Sequence, residues 1–281
     1  MTSMLKRHGY LAPFPKLPAS ANGETGLDSL WLRPFGLFHA DLELDFDQET
    51  RPQLVTQILQ CCTTSKAGDP PDERFLWNLT SSKRIECLVA IASLRSPSGL
   101  TVRLRCPDET CLQEMELDLS LAELAGIQRQ AEATDRCLIR LGDRSLQIRK
   151  PTGRDQLSWS NVSFEDEGAA AQTVIQTLLS EEVSAEVNDL GEWVRAIDSA
   201  MEELDPLVDF AMLVSCPGCG TENRHRVDLQ ELSLGLLRQD QLVLLEAVHR
   251  LVLRYHWSEE QIFSLPPWRF SRYLALIERV P

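Results

Sequence analysis

Long apolar runs are missing from this 281-residue chain: none approaches the eighteen or more residues of a membrane-spanning helix, so no membrane association is expected. No long apolar stretch follows Lys6, Arg7 and His8, so no secretory leader is expected and the reading is cytoplasmic. There is no phosphate-binding glycine loop, no nucleophile elbow and no His-Glu-x-x-His helix. Carboxylates are plentiful, but no pair stands apart from the general acidity, so the chain reads as non-catalytic. Positive charge is short as well: 28 Lys and Arg face 42 Asp and Glu, a net charge of −14. Counterion release at a nucleic-acid backbone would work against such a surface, so no nucleic-acid partner is expected. What is present in quantity is apolar content, 43%, enough to fill one large or two ordinary cores.

The informative residues are four of the eight cysteines. Cys216-Pro217-Gly218-Cys219 has a turn built into it, and Cys106-Pro107-Asp108-Glu109-Thr110-Cys111 is a longer polar turn. A tight turn between two cysteines aims both sulfurs at one point, and Zn²⁺ in structural sites takes four such ligands tetrahedrally. Each pair leads into a strand-like run with an acid near its end, Met115-Glu116-Leu117-Asp118-Leu119 and His225-Arg226-Val227-Asp228-Leu229. These read as two copies of one unit, and Leu100-Thr101-Val102-Arg103-Leu104 alternates as a strand leading into the first. One structural Zn²⁺ held by Cys106, Cys111, Cys216 and Cys219 is therefore expected, with His225 as an alternative fourth ligand. Disulfides, a redox dithiol and ordinary buried thiols compete with this reading. The cysteine density is far from that of a secreted scaffold. The residues after Cys219 read as a turn, where a redox dithiol wants a helix N-terminus. Arg103, Arg105 and Arg224 stand close enough in sequence to offset the charge of four thiolates, or are simply solvated. Cys61, Cys62, Cys87 and Cys137 sit in apolar runs and read as small core residues.

Four segments follow from composition and periodicity. Residues 1–28 hold Pro13, Pro15, Pro18, Gly23 and Gly26 and read as an irregular arm. Residues 29–95 carry helices from about Thr50 to Cys62 and, capped by Thr80, Ser81 and Ser82, to about Leu94. Residues 96–235 hold the cysteine core, with Asp118 to Leu124 as a connector and a hairpin at about 137–149 around Gly142-Asp143. The same segment includes a helical insertion at about 165–214, which ends in a helical turn through Leu207, Phe210, Ala211 and Leu213. This insertion is acidic, with Arg195 its one basic residue; it reads as a solvated face or as a docking face for a basic partner. Residues 236–281 form a helical tail: one helix from Asp240 to Tyr255, a second started by Ser258 and its following acids, and a third from Pro266-Pro267. His249 and His256 lie seven apart, which reads as packing or hydrogen bonding and not as metal binding.

Several stretches together are similar to the baseplate-protein family of T4-type contractile phage tails, found also in tail-derived contractile injection particles. They are Leu79-Thr80 with Arg84; Cys106 and Cys111 followed by Leu117-Asp118-Leu119; and Arg149-Lys150-Pro151-Thr152-Gly153-Arg154-Asp155. Further along they are Asp205-Pro206 before Cys216-Pro217-Gly218-Cys219-Gly220, then Tyr255-His256-Trp257-Ser258, Glu260, Ile262, Leu265-Pro266, Arg269, Arg272 and Tyr273. The likeness runs from about Leu79 onward and departs from the pattern at the wider first cysteine pair and at Phe270. It implies an assembly chaperone or structural component of the baseplate or its hub, possessing no catalytic residues.

The sequence thus predicts an α+β protein in which two zinc-knuckle and β units close one zinc-ribbon-like core, with a helical insertion and a helical tail. The predicted partners are baseplate or hub proteins, met through Tyr255, His256, Trp257, Trp268, Arg269, Arg272 and Tyr273, and the protein could be incorporated in a phage-tail-like particle. The alternative is a zinc-ribbon nucleic-acid-binding or transcription-related protein, which demands a basic face with exposed aromatics.

Overall fold

The computed structural model describes residues 11–17, 30–95, 100–131, 134–141, 144–179 and 190–277. Among them helices and short antiparallel strands are mixed, as an α+β chain requires. No helix among the described residues is long and apolar enough to cross a membrane. Most of the irregular arm expected at 1–28 lies outside the described residues. Its Ala12–Pro13 (β1) pairs with Trp31–Leu32 (β2), which pairs with Thr63–Thr64 (β3).

Helix α1 (Arg51–Cys62) starts where Thr50 and Gln53 cap each other, the Thr50 N–H reaching Gln53 Oε1 at 3.3 Å. After the short α2 (Glu73–Asn78), Thr80 caps α3 (Ser81–Ser93) by accepting the Lys83 N–H. Ile85, Leu88, Val89 and Ile91 of α3 are buried among Leu54, Ile58 and Leu59 of α1. Strands β4 (Leu100–Arg105) and β5 (Glu114–Leu119) form a hairpin from Leu100↔Leu119 to Arg105↔Glu114. Its inner residues Leu100, Val102 and Leu119 join the same core, and Arg103 and Arg105 face out. The connector expected after β5 is instead a helix, α4 (Leu121–Ala131). Ser120 accepts the Glu123 N–H at its start, so the Ser-x-x-Glu pattern was the signal for it.

A second core forms between the hairpin β6 (Arg136–Leu141) and β7 (Arg144–Arg149) and the helices α6 (Glu167–Leu178) and α7 (Leu190–Leu204). Ile139, Ile148, Ile175, Trp193 and Ile197 fill it. The Gly142-Asp143 turn lies outside the described residues. Between hairpin and α6, Thr152 caps α5 (Gly153–Ser160).

The helical insertion is shorter than expected. Residues Ala211–Ser215 form strand β8, paired with β9 (Glu222–Arg226) from Ala211↔Arg226 to Ser215↔Glu222. The apolar run at 211–214 is compatible with helix or strand by itself, and pairing with β9 decides it. The expected strand at 225–229 likewise stops at Arg226, because Asp228 caps a helix through the Glu231 N–H at 2.9 Å. That helix, α8 (Leu229–Tyr255), begins well before Asp240. Its first half, through Leu229, Leu234 and Leu237, belongs to the first core. Its second half, through Leu244, Val248 and Leu251, packs on α9 (Glu259–Phe263) and α10 (Pro267–Ile277).

Two buried ionisable side chains differ in how they are accommodated. Arg84, 1% exposed, donates to the carbonyls of Leu76 and Pro52 at 3.0 and 2.7 Å and to the Thr56 hydroxyl at 2.9 Å, and its guanidinium lies 5.2 Å from the Trp77 ring centre. Burial pulls its pKa down to about 10. Gly153 lies against it: a β-carbon there would come within 2.6 Å of the guanidinium carbon. Arg149 and Asp155 hold the same turn by a two-pronged ion pair at 2.6 and 2.9 Å, with Asp155 also accepting from Thr152. Burial opposes ionisation of Asp155, but Arg149 and Thr152 outweigh it and keep its pKa below the usual carboxylate value. The second is Asp205, 2% exposed, with neither carboxylate oxygen hydrogen-bonded.

Burial pushes Asp205 up to about 7, although nearby Lys150 pulls the other way. An unfolded aspartate releases its proton near pH 3.9, so between about 4 and 7 the folded state holds the extra proton and stability falls as pH rises. Asp205→Asn is expected to remove that slope and to unfold at a higher urea midpoint than wild type at pH 8. Urea titrations at pH 5, 6, 7 and 8 measure it; a variant less stable than wild type at pH 8 contradicts the assignment.

Candidate metal centre

Each cysteine pair sits at the tip of a hairpin. The β4–β5 ladder is extended by Cys106 N–H to Gln113 O at 2.9 Å, and the β8–β9 ladder by Cys216 N–H to Thr221 O at 3.0 Å. The loops beyond these closures differ in length, and the first absorbs its extra residues in a turn at Asp108. The Asp108 side chain accepts the Thr110 N–H at 2.8 Å and hydroxyl at 2.6 Å, and its carbonyl accepts the N–H of Cys111 and Leu112. Both loops then turn alike, because the residue after the second cysteine is left-handed in each: φ is 48° at Leu112 and 73° at Gly220. This conformation suits glycine and is uncommon for leucine.

The tips face one another. Cys106 Sγ lies 3.7 Å from Cys219 Sγ and Cys111 Sγ 3.6 Å from Cys216 Sγ, and all four sulfurs fall within 4.8 Å of one another. A disulfide would bring a pair to about 2.05 Å. Four ligands at about 2.3 Å from a tetrahedral centre stand about 3.8 Å apart, so this spacing fits a metal ion. The fit is close on the outside too, since a β-carbon on Gly218 would meet Cys111 Sγ at 3.1 Å.

Backbone amides favour the thiolates. The hydroxyl and N–H of Thr221 bring Cys219 down to about 6. The Asp108 N–H supports Cys106 in the same way, but burial and the neighbouring thiols push it up to about 12. The Gln113 N–H favours ionised Cys111, though burial and the thiols of Cys216 and Cys219 leave its pKa raised. In the metal-free cluster the neighbouring thiols favour ionisation of Cys219 and oppose it at Cys106; a bound cation would take up the charge of the thiolates and release the protons. Asp108, Gln113 and Thr221 are the supporting residues that the sequence reading missed, all at the second position after a cysteine.

His225 does not join the group: among the described residues the clustered ligands are the four cysteines, and His225 Nε2 is buried without a partner. Arg103 and Arg224 bond Glu116 and Glu202 at 2.8 and 3.2 Å. Cys62 and Cys87 are fully buried core residues, Cys61 packs beside that core, and Cys137 packs in the second core. Four sulfurs around one ion would fill a tetrahedral site.

The expected partner-binding residues separate into two groups. Tyr255 stacks on Trp257 with centroids 4.6 Å apart, and Tyr273 meets both edge-on at 5.4 and 4.8 Å, so this trio fastens α10 to the end of α8. His256 ends α8 in a left-handed turn. Arg269 donates to the Tyr273 hydroxyl at 3.2 Å, and Trp268, 64% exposed, and Arg272 face solvent.

The repeated left-handed position makes opposite predictions for its two residues. Gly220→Ala meets open space and is expected to cost about 1 kcal/mol through its backbone angle alone. Leu112→Gly relieves the same angle and is expected to leave stability unchanged or raised by up to about 1 kcal/mol. Urea denaturation of metal-loaded protein tests both; a loss above about 1 kcal/mol at Leu112 contradicts the reading.

No family model, curated protein or solved structure matches the chain.

Proposed function

We propose that Cys106, Cys111, Cys216 and Cys219 hold one structural Zn²⁺ that closes a zinc-ribbon-like core. On this reading the protein is a non-catalytic assembly factor or component of a contractile-tail baseplate or its hub. The observation that carries the zinc reading is the spacing of the sulfurs, which matches a tetrahedral tetrathiolate. Zinc would act as a clasp between hairpins more than a hundred residues apart, and its binding energy would be folding energy. The baseplate reading draws on the sequence resemblance. It gains support from the placement of those residues: Arg84, Gly153 and Asp155 hold the frame, and Arg272 is left outside it, on the same helix as the exposed Trp268. Residues 247–277 carry four arginines and two glutamates in a chain of net −14, which gives α10 and its surroundings a sign of their own for docking.

Protein purified without added metal is expected to contain about one zinc per chain, with four thiols that react with a bulky aromatic disulfide reagent only after chelation. Chelation should lower the melting temperature by about 10 °C or more. Absence of metal, with the same thiols reactive before and after chelation, would remove the zinc reading.

Trp268→Ala with Arg272→Ala should reduce recovery of purified hub or baseplate protein by tenfold or more at unchanged melting temperature and zinc content. Tyr273→Ala should instead act through stability by loosening α10. Full recovery with the Trp268 and Arg272 variant would overturn the assigned face.

A further inference from the structure

We infer that the four-cysteine centre is also an oxidation site, one that peroxide converts from a metal clasp into a pair of disulfides joining the two hairpins. This rests on the site being metal-loaded in the reduced protein. Cys219 is the entry point: it is the exposed member of the four, with Cys106 and Cys216 buried and Cys111 half-buried. Two close sulfur contacts run between the knuckles, Cys106 to Cys219 at 3.7 Å and Cys111 to Cys216 at 3.6 Å. A sulfur oxidised at Cys219 therefore has an attacking sulfur in contact with it on the other loop.

The Cys219 thiolate attacks one oxygen of hydrogen peroxide; the O–O bond breaks, the sulfur becomes a sulfenic acid and the other oxygen leaves as hydroxide. The Cys106 thiolate then attacks that sulfur, the S–O bond breaks, the disulfide forms and a second hydroxide leaves. Cys111 and Cys216 react likewise with a second peroxide. In sum, four thiolates, two peroxides and four protons yield two disulfides and four waters, and the metal ion is released. The product keeps the two hairpins joined, because the new bonds link residues 113 and 105 apart in the chain. Oxidation would thus remove the metal and leave the closure in place.

The test is titration of the zinc-loaded, full-length protein with hydrogen peroxide, following released zinc with a chromogenic chelator and mapping disulfides by mass spectrometry. Trypsin places Cys106 and Cys111 on one peptide, residues 106–129, and Cys216 and Cys219 on another, residues 196–224. The expected result is one zinc released per two peroxides, with the two peptides covalently linked. Cleavage after Glu109 then separates Cys106 from Cys111, and fragmentation assigns Cys106 to Cys219. The oxidised protein should melt above the chelated, reduced protein, and dithiothreitol should restore zinc uptake. Two unlinked peptides, each with an internal disulfide, would overturn the inference, as would sulfinic acids without linkage. Purified protein without zinc would count against the metal reading alone, because the same mapping on metal-free protein still decides the pairing.

Discussion

Four sulfurs from two loops a hundred residues apart have to arrive within a few ångströms of one point, and much of the architecture serves that requirement. The loops are carried on hairpins, β4–β5 and β8–β9, whose ladders run up to the first cysteine of each pair and so fix its direction. Both hairpins are rooted in the first core: Leu100, Val102 and Leu119 on one side, Phe210 and Val227 on the other, with α3 and the first half of α8 beneath them. Placement is therefore set by ordinary apolar packing, and a metal at the tips would complete it. The second core and the tail lie on separate apolar clusters, so a change at the cysteines need not be felt equally everywhere.

Arg84 has the complementary task inside the frame. A guanidinium buried without a carboxylate is expensive, and it is tolerated here because three neutral oxygens accept from it and an aromatic ring lies beside it. It holds the start of α1, the end of α2 and the turn before α5 in one place. Gly153 is required there for a packing reason, since the space a side chain would need is filled by Arg84. The adjoining Arg149–Asp155 pair fixes the same turn from outside. Of the residues that carried the family resemblance, these are structural, whereas Asp118, Arg154, the turn from Pro217 to Gly220, and Arg269 and Arg272 in the tail face solvent.

Features with local causes were legible in the sequence. Thr50, Thr80 and Ser258 mark helix starts because a capping side chain and the backbone N–H it serves are within three residues of each other. The cysteine pairs were legible because their turns are local, and their convergence followed from what a tetrahedral ion demands. Strand β8 was not, because Ala211-Met212-Leu213-Val214 fits either periodicity and its partner lies beyond the knuckle. Helix α4 was overlooked although Ser120 and Glu123 announce it. The tyrosines and tryptophan at 255, 257 and 273 could be seen as a cluster in sequence, but only their stacking tells that they are spent on holding α10.

The electrostatics of the cysteine centre follow from what the rest of the surface has already used. A divalent ion with four thiolates carries a local charge of −2, in a chain that already stands at −14. Of the arginines nearest in sequence, Arg103 is bound to Glu116 and Arg224 to Glu202, and Arg105 faces solvent beside Cys106. The compensation at hand is dipolar: amide N–H groups of Asp108, Gln113 and Thr221 point at sulfurs, joined by the Thr221 hydroxyl and, at 4.0 Å, by the Asn223 amide. Such donors stabilise a thiolate without lending it a mobile counter-charge, and they are set by the turn itself. The left-handed residue after each second cysteine belongs to that turn, which is why a leucine is held at an angle better suited to glycine.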